Sequence, residues 1–186
     1  LAKYNYKAAW RETTVAADRG TGVAIIYHTR FTTALVKEKP VVSSDGKQFY
    51  MLFKFPDGKI WKIGSVHLHP NPHHAMNKQA VKQSIEFLSS VYTDCVRKGY
   101  LCAIGIDANS CVDVTIDTVN SNRAQDASNP INTIMELGLR DALRATGNQN
   151  VCYTYTTSKL GKSSGHRIDY MLVCGQALPH VLRVMH

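Results

Sequence analysis

The spacing of apolar residues in the first part of the chain predicts a series of β-strands. Runs rich in β-branched and aromatic residues are separated by the turn signals Asp45-Gly46 and Pro56-Asp57-Gly58, which favour hairpin connections. The predicted strands are residues 20–27, 30–37, 48–55 and 59–69. Together they predict a β-meander.

The second part of the chain alternates between helical and strand patterns. From residue 75 to 98 the apolar positions recur near one stripe, and Gly99 suits the end of a helix. Residues 101–106 form an uninterrupted apolar run typical of a buried strand. The other predicted elements are a polar surface loop at 112–129, a helix from Pro130 to Gly147, strands at 151–157 and 168–173, and a flexible basic loop at 159–166.

Composition predicts one globular domain. The 186 residues are 44% hydrophobic and 19% charged, which excludes a disordered chain, and no apolar run is long enough to cross a bilayer. A net charge of +8 and a pI near 9.3 favour polyanionic partners such as nucleic acid. Five cysteines without a CxxC pair argue against a disulfide framework and a cysteine zinc site, so we expect an intracellular setting.

The most informative polar residues follow the apolar run at 101–106. Asp107 and Asn109 are two positions apart and therefore share one side of an extended backbone. A carboxylate there can orient or accept a proton from water, and a carboxamide can donate a hydrogen bond to a developing oxyanion. The alternative is a strand that ends in an ordinary polar turn.

Further polar clusters are predicted at other strand ends. They are the pair His67 and His69, Asp141, and the pair Arg167 and Asp169. A core strand that carries Arg-Ile-Asp must pair its charges or direct them into a cleft, because an unpaired buried charge is costly. A buried ion-pair network without a catalytic role remains the alternative.

The order of these clusters resembles the endonuclease/exonuclease/phosphatase superfamily, which has the deoxyribonuclease-I-like fold. The resemblance extends over essentially the whole chain, and each motif is weak alone. The matching stretches are RGTGVAIIY (19–27), GSVHLHP (64–70), AIGIDANS (103–110), GLRDALR (138–144), YTY (153–155) and HRIDYMLV (166–173).

This resemblance implies an α/β fold, a four-layer sandwich of two mostly antiparallel sheets flanked by helices. It also implies a Mg²⁺-dependent phosphodiesterase, with Mn²⁺ as an alternative metal and nucleic acid as the expected substrate and partner. Asp107 would orient or deprotonate water and bind the metal, Asn109 and His67 would contact the phosphate, and Asp169 would steady a catalytic histidine. The implied substrate-binding residues are Arg167, His69, Asn71 and Lys162.

The sequence departs from the family pattern in three places. The strands that carry an Asn and a metal-binding Glu, expected before Gly20, have no match, nor does the closing Ser-Asp-His segment expected after the last strand. Ile106 stands where the family usually has Gly. We therefore expect residues 1–186 to be a single domain that lacks the first strands and the closing segment, with an incomplete site.

Three alternatives remain open at this point. The stretch HLHPNPHH is similar to the histidine-rich zinc loop of metallo-β-lactamases, although Asn71 stands where that pattern needs Asp. A second alternative is a non-catalytic module of the same fold that binds nucleic acid or a protein complex through its basic surface. A third is a phosphoesterase that acts on inositol phosphates or phospholipids.

Overall fold

The computed structural model describes residues 2–14, 22–70, 74–119, 129–148, 150, 152–159 and 162–181. The strands are β1 (Tyr6–Glu12), β2 (Gly22–His28), β3 (Val41–Val42), β4 (Gln48–Lys54), β5 (Ile60–His67), β6 (Leu101–Asp107), β7 (Thr118–Val119), β8 (Leu139–Asp141), β9 (Tyr155–Lys159), β10 (Lys162–His166) and β11 (Asp169–Cys174). The α-helices are α1 (Lys78–Arg97), α2 (Val114–Asp117), α3 (Pro130–Glu136) and α4 (Ala142–Ala145).

The largest sheet has six strands in the order β3-β4-β5-β6-β11-β8. Its neighbouring strands are antiparallel except for β5 and β6, which are parallel and are joined through α1. A parallel pair needs such a crossover because its two strands run in the same direction. As a consequence, β5 and β6 both end at the same edge of the sheet.

Helices cover one face of this sheet. Leu88 and Val91 of α1 and Ile134 of α3 are buried in one cluster with Ile104 and Leu172 of the sheet. The apolar stripe predicted for residues 75–98 therefore forms α1, and Gly99 follows it with the left-handed φ of 67°. This conformation suits glycine because it has no Cβ.

The other face of the sheet carries a second, smaller sheet. Strands β1 and β2 pair antiparallel, and the inward side chains Val23 and Ile25 of β2 pack on Phe49, Met51 and Phe53 of β4. The predicted α/β class, with mostly antiparallel sheets and flanking helices, is confirmed; beside the two sheets predicted, the described residues form a small third sheet in the order β7-β10-β9. The described residues form three layers of the predicted four: helices, the six-stranded sheet and the β1–β2 sheet.

Several local predictions were wrong. Residues 30–37 do not form a strand: Thr29–Ala34 is a 3₁₀ helix that begins with the His28 side chain accepting a hydrogen bond from the Arg30 amide. The helix predicted from Pro130 to Gly147 is instead α3 and α4 separated by β8, since Gly138 takes a φ of 107° and turns the chain. The basic segment at 159–166 contributes to the hairpin β9–β10 rather than forming a flexible loop.

A buried ion-pair network fixes the corner between β10 and β11. The two terminal nitrogens of Arg167 bind the carboxylate of Asp141 at 2.6 and 2.8 Å. A second arginine, Arg144, binds Asp117 at 2.6 Å, and the Asp117 backbone oxygen accepts a hydrogen bond from the Arg167 amide. The network therefore ties α2, β8 and α4 to the residue that precedes β11.

Substitution of Arg167 tests whether this network holds the fold. Arg167→Met leaves the Asp141 carboxylate buried without its charge partner, so we expect a loss of about 3–5 kcal/mol in the free energy of unfolding. Arg140→Met, at an exposed position on β8, should change it by less than about 0.5 kcal/mol. Urea denaturation measures both, and equal stability of the two variants would contradict the assignment.

Candidate active site

Three polar side chains lie in one row across neighbouring strands. His67 is the register partner of Asp107, and Asp107 is the register partner of Asp169. Directly opposed residues in a sheet point to the same face. The row therefore joins the end of β5, the end of β6 and the start of β11 on one side of the sheet.

The row lies on the face that carries the β1–β2 sheet. Its three side chains line a cleft of about 430 Å³ together with residues 22–24 of β2 and the floor residues Ser65 and Gly105. The alternate residues Val66, Ile106 and Tyr170 are buried in the helix-side core. Successive side chains on the three strands alternate between the two faces of the sheet. The apolar side chains therefore face the helices, and the polar row faces the cleft.

Asp107 has an unusual environment for a carboxylate. Burial raises its pKa above the ordinary aspartate value, and the neighbouring carboxylate of Asp169 raises it further. The backbone amide of Asn109 donates a hydrogen bond to Asp107 Oδ1 at 3.1 Å. This hydrogen bond and the nearby His67 both lower the pKa of Asp107. His67 Nε2 lies 3.9 Å from Asp107 Oδ2. A carboxylate with a raised pKa is better suited to exchange a proton near neutral pH.

Asn109 holds the ends of β5 and β6 together. It adopts a left-handed conformation with φ 49°, and its side-chain Nδ2 donates to the Leu68 carbonyl at 2.8 Å. The Leu68 amide in turn donates to the Asp107 carbonyl at 2.9 Å. One hydrogen of the Asn109 side-chain amide is therefore bound to the Leu68 carbonyl in this conformation. The contact of Asn109 with a phosphate remains a prediction.

The residues predicted to bind substrate differ in where they lie. Arg167 is only 2% exposed and its terminal nitrogens bind Asp141 in this conformation, so its contact with substrate remains a prediction. His69 has both ring nitrogens 3.5 Å from Lys47 Nζ and lines a separate cavity of about 500 Å³. Lys162 opposes Lys159 at the end of the β9–β10 hairpin, and Asn71 lies outside the described residues.

Two residues that support the row could not be identified from the sequence. The hydroxyl of Thr154 accepts hydrogen bonds from the Ile168 and Asp169 amides at 3.0 and 3.1 Å, which fixes the start of β11. Lys47 is 1% exposed, and its backbone oxygen accepts from the His67 amide at 2.9 Å. Thr154 lies within the YTY motif, but nothing in its spacing from Asp169 indicated this contact.

The donor set of the row suits a hard divalent cation only in part. Asp107 and Asp169 offer the oxygen ligands that Mg²⁺ prefers, and Mg²⁺ commonly keeps several waters and needs few protein ligands. Across the part of the chain that the structure describes, no group of three or more His, Cys, Asp or Glu side chains is arranged to hold a metal. This also leaves the histidine-rich zinc alternative without support from those residues.

No protein-family profile matches this sequence, and a search of curated proteins found no match. Solved structures do match. The endonuclease domain of TRAS1, a telomere-specific non-LTR retrotransposon, aligns with a TM-score of 0.56 and 17% identity over 94% of this chain and 69% of its own. ANGEL2, a 2′,3′-cyclic phosphatase, aligns with a TM-score of 0.61 and 14% identity over 95% of this chain and 64% of its own.

A third structure, TDP2 from Caenorhabditis elegans, aligns with a TM-score of 0.56 and 16% identity over 93% of this chain and 49% of its own. These structural neighbours are of the endonuclease/exonuclease/phosphatase type. The likeness shows the predicted deoxyribonuclease-I-like fold. The chain spans between about half and 69% of the length of these three structures. No helix in the described ranges is long and apolar enough to span a membrane.

The raised pKa of Asp107 predicts how stability depends on pH. At pH values well below about 4 this aspartate is protonated in both the folded and the unfolded state, whereas at higher pH its raised pKa disfavours the ionised form in the folded state. Relative to the wild type, Asp107→Asn should therefore gain stability as the pH rises from about 4 to 7.

Asp57→Asn is the matched control for this measurement. The hydrogen bond from the Lys59 backbone amide lowers the pKa of Asp57. Relative to the wild type, Asp57→Asn should therefore lose stability as the pH rises through the acid range. Urea unfolding at a series of pH values compares the three proteins. A pH trend of the same sign for both variants would contradict the electrostatic description of the row.

Proposed function

From the deoxyribonuclease-I-like fold of this chain, we propose that it is a single metal-dependent phosphodiesterase domain whose substrate is nucleic acid. The observation that supports this most strongly is the row of His67, Asp107 and Asp169 at the ends of three adjacent strands. A hydrolytic phosphoesterase activity is compatible with the structural neighbours, which include an endonuclease and phosphatases. The metal and the substrate class are our proposal.

The proposed chemistry assigns a role to each member of the row. Asp107 orients water or accepts its proton, because burial and the Asp169 carboxylate raise its pKa towards the working range. His67 donates a hydrogen bond to a phosphate oxygen from the neighbouring strand end, where its ring is partly exposed. A divalent cation held by Asp107 and Asp169 would supply charge neutralisation for the phosphate.

Charge favours nucleic acid over smaller phosphoesters. The chain has 22 Lys and Arg against 14 Asp and Glu, and a net charge of +8 attracts a polyanion at long range. One structural neighbour is an endonuclease domain, which is compatible with this preference. ANGEL2 and a Bacteroides thetaiotaomicron mannosyl-6-phosphatase have the same fold, so phosphate monoesters and cyclic phosphates belong in the substrate test.

Cleavage by the full-length protein tests the proposal. We expect Mg²⁺-dependent cleavage of labelled duplex DNA or single-stranded RNA, assayed beside an inositol phosphate and a 2′,3′-cyclic nucleotide. Asp107→Asn should lower the rate by at least about 10²–10⁴-fold, the usual contribution of a positioned acid or base. Asp57→Asn, in an exposed turn, should cleave at the wild-type rate.

The outcomes separate the alternatives. Normal cleavage by Asp107→Asn would contradict the assigned site. Absence of cleavage together with tight, salt-sensitive binding of nucleic acid would instead favour the non-catalytic binding module.

The β9–β10 hairpin is proposed as part of the nucleic-acid surface. Strand β10 of this hairpin ends at His166, shortly before β11 begins at Asp169. The register of the hairpin places Lys159 directly opposite Lys162. His166, at the other end of the hairpin, is buried, so we assign the contact to the two lysines.

Charge removal at these lysines should change the salt dependence of binding. Lys159→Ala/Lys162→Ala should reduce the slope of log K against log salt by about two, roughly one for each lost phosphate contact. The control Lys39→Ala/Lys54→Ala removes two exposed lysines elsewhere and should leave the slope close to the wild-type value. Fluorescence anisotropy with labelled duplex DNA measures it, and equal slopes for both double variants would contradict the proposed surface.

A further inference from the structure

A second cavity lies beside the end of β5, on the side of the large sheet that α1 covers. Its volume of about 500 Å³ is within the range usual for small-molecule sites, and its walls are the turn before β4, His69 and the first half of α1. His69 follows His67 by two residues, so their Cα atoms are at most about 7 Å apart. The cavity therefore adjoins the edge of the sheet where the row of His67, Asp107 and Asp169 lies.

Hydrogen bonds hold the walls of this cavity in place. The buried Tyr50 hydroxyl donates to Gln48 Oε1 at 2.7 Å, and Gln48 Nε2 donates to the Ser84 carbonyl of α1 at 2.7 Å. On the opposite wall, Asp45 Oδ1 accepts a hydrogen bond from the Lys47 backbone amide at 3.0 Å, which fixes the turn before β4. The helix wall and the turn wall are therefore positioned before a ligand enters, which lowers the cost of binding one.

The side chains that line the cavity suit a planar ligand that carries N–H donors. Asp45 and Glu86 both line it, and an ionised carboxylate accepts hydrogen bonds but donates none. The amide of Gln83 can both donate to and accept from the edge of a base. Phe87 adds a partly buried aromatic ring on which a base can stack. Acceptors, one amide and one aromatic ring together match a nucleobase.

The two carboxylates also distinguish between the bases. The exocyclic amino group of adenine, cytosine or guanine carries two hydrogens, so it can serve both Asp45 and Glu86. Uracil and thymine offer a single N–H between two carbonyl oxygens, and these oxygens would face the carboxylates without a hydrogen bond. Base pairing occupies the amino group in a duplex, so only an unpaired base can enter.

We propose that this cavity binds an unpaired nucleobase with an exocyclic amino group, from the nucleotide next to the phosphodiester at the row. The assignment rests on the proposed function in taking the ligand to be part of a nucleic acid, and it narrows the substrate to a single-stranded segment. The strand passes over the end of β5, with its phosphate at His67 and its base beyond His69. Adenine, cytosine or guanine is then preferred over uracil or thymine at that position.

Titration of the ¹⁵N-labelled full-length protein with mononucleotides, without added metal, tests this by NMR. Cytidine 5′-monophosphate should shift the amide signals of residues 43–45 and 80–87 and bind at least about fivefold more tightly than uridine 5′-monophosphate, the discrimination expected of one well-placed base contact. Ribose 5-phosphate should leave these signals unshifted. Equal affinity for the two nucleotides, or the same shifts with ribose 5-phosphate, would overturn the proposal.

A pair of variants on α1 tests the role of the carboxylate. Glu86→Gln should lower the preference for cytidine over uridine, because it replaces an acceptor with a group that also donates. Lys82→Gln removes the lysine 3.8 Å from Glu86, one turn away, and should keep the wild-type preference. Both positions are exposed, so neither change should disturb the fold. The same preference in both variants would contradict the assignment.

The titration separates this proposal from the proposed function, because it measures binding and requires no cleavage. Selective binding of the cytidine nucleotide by a protein that cleaves no nucleic acid would support the base site and contradict the phosphodiesterase. Metal-dependent cleavage by a protein whose cavity signals do not shift with either nucleotide would support the phosphodiesterase and overturn the base site.

Discussion

The parallel pairing of β5 with β6 is the constraint on which the candidate site depends. A parallel neighbour can be reached only through a crossover, and α1 provides it by packing its apolar stripe on the sheet. The two strands therefore end together, with His67 opposite Asp107. Strand β11 then pairs antiparallel with β6 and begins at the same edge, which adds Asp169 to the row.

The buried charges before β11 are paired with opposite charges, whereas the charges at the cleft are not. Arg167 and Asp141 are buried but fully paired, so their desolvation is offset by short hydrogen bonds and mutual attraction. Asp107 and Asp169 are placed side by side with like charge, and the raised pKa of Asp107 reflects that cost. The ion pair of Arg167 and Asp141 supports the corner before β11, while the two like-charged carboxylates of Asp107 and Asp169 line the cleft. Such an arrangement is typical of functional sites.

The sequence predicted the elements whose burial repeats along the chain. The apolar run at 101–106 and the stripe of α1 could be predicted because their burial follows simple periods. Strand β1 was missed because six of its seven residues are exposed, so it shows no alternation. The segment at 30–37 has β-branched residues, yet the His28 ring accepts a hydrogen bond from the Arg30 backbone amide, which favours a 3₁₀ turn.

The site was predictable to the extent that it lies at strand ends. Asp107 and Asp169 could be predicted from their positions after and within apolar runs, and the structure makes them register partners. The partner of Arg167 could not, because Asp141 is 26 residues away and meets it only in the folded sheet. The hydroxyl of Thr154 is a similar case, since the chain must turn before it reaches the Asp169 amide.

The central claim is that the row of His67, Asp107 and Asp169 binds a divalent cation beside a phosphodiester. The most direct measurement is paramagnetic broadening of backbone amide signals by substoichiometric Mn²⁺. We expect the strongest broadening at the ends of β5 and β6 and the start of β11, and its loss in Asp107→Asn. Broadening that is unchanged in this variant, or centred on the exposed face of α1 around Asp94, would contradict the claim.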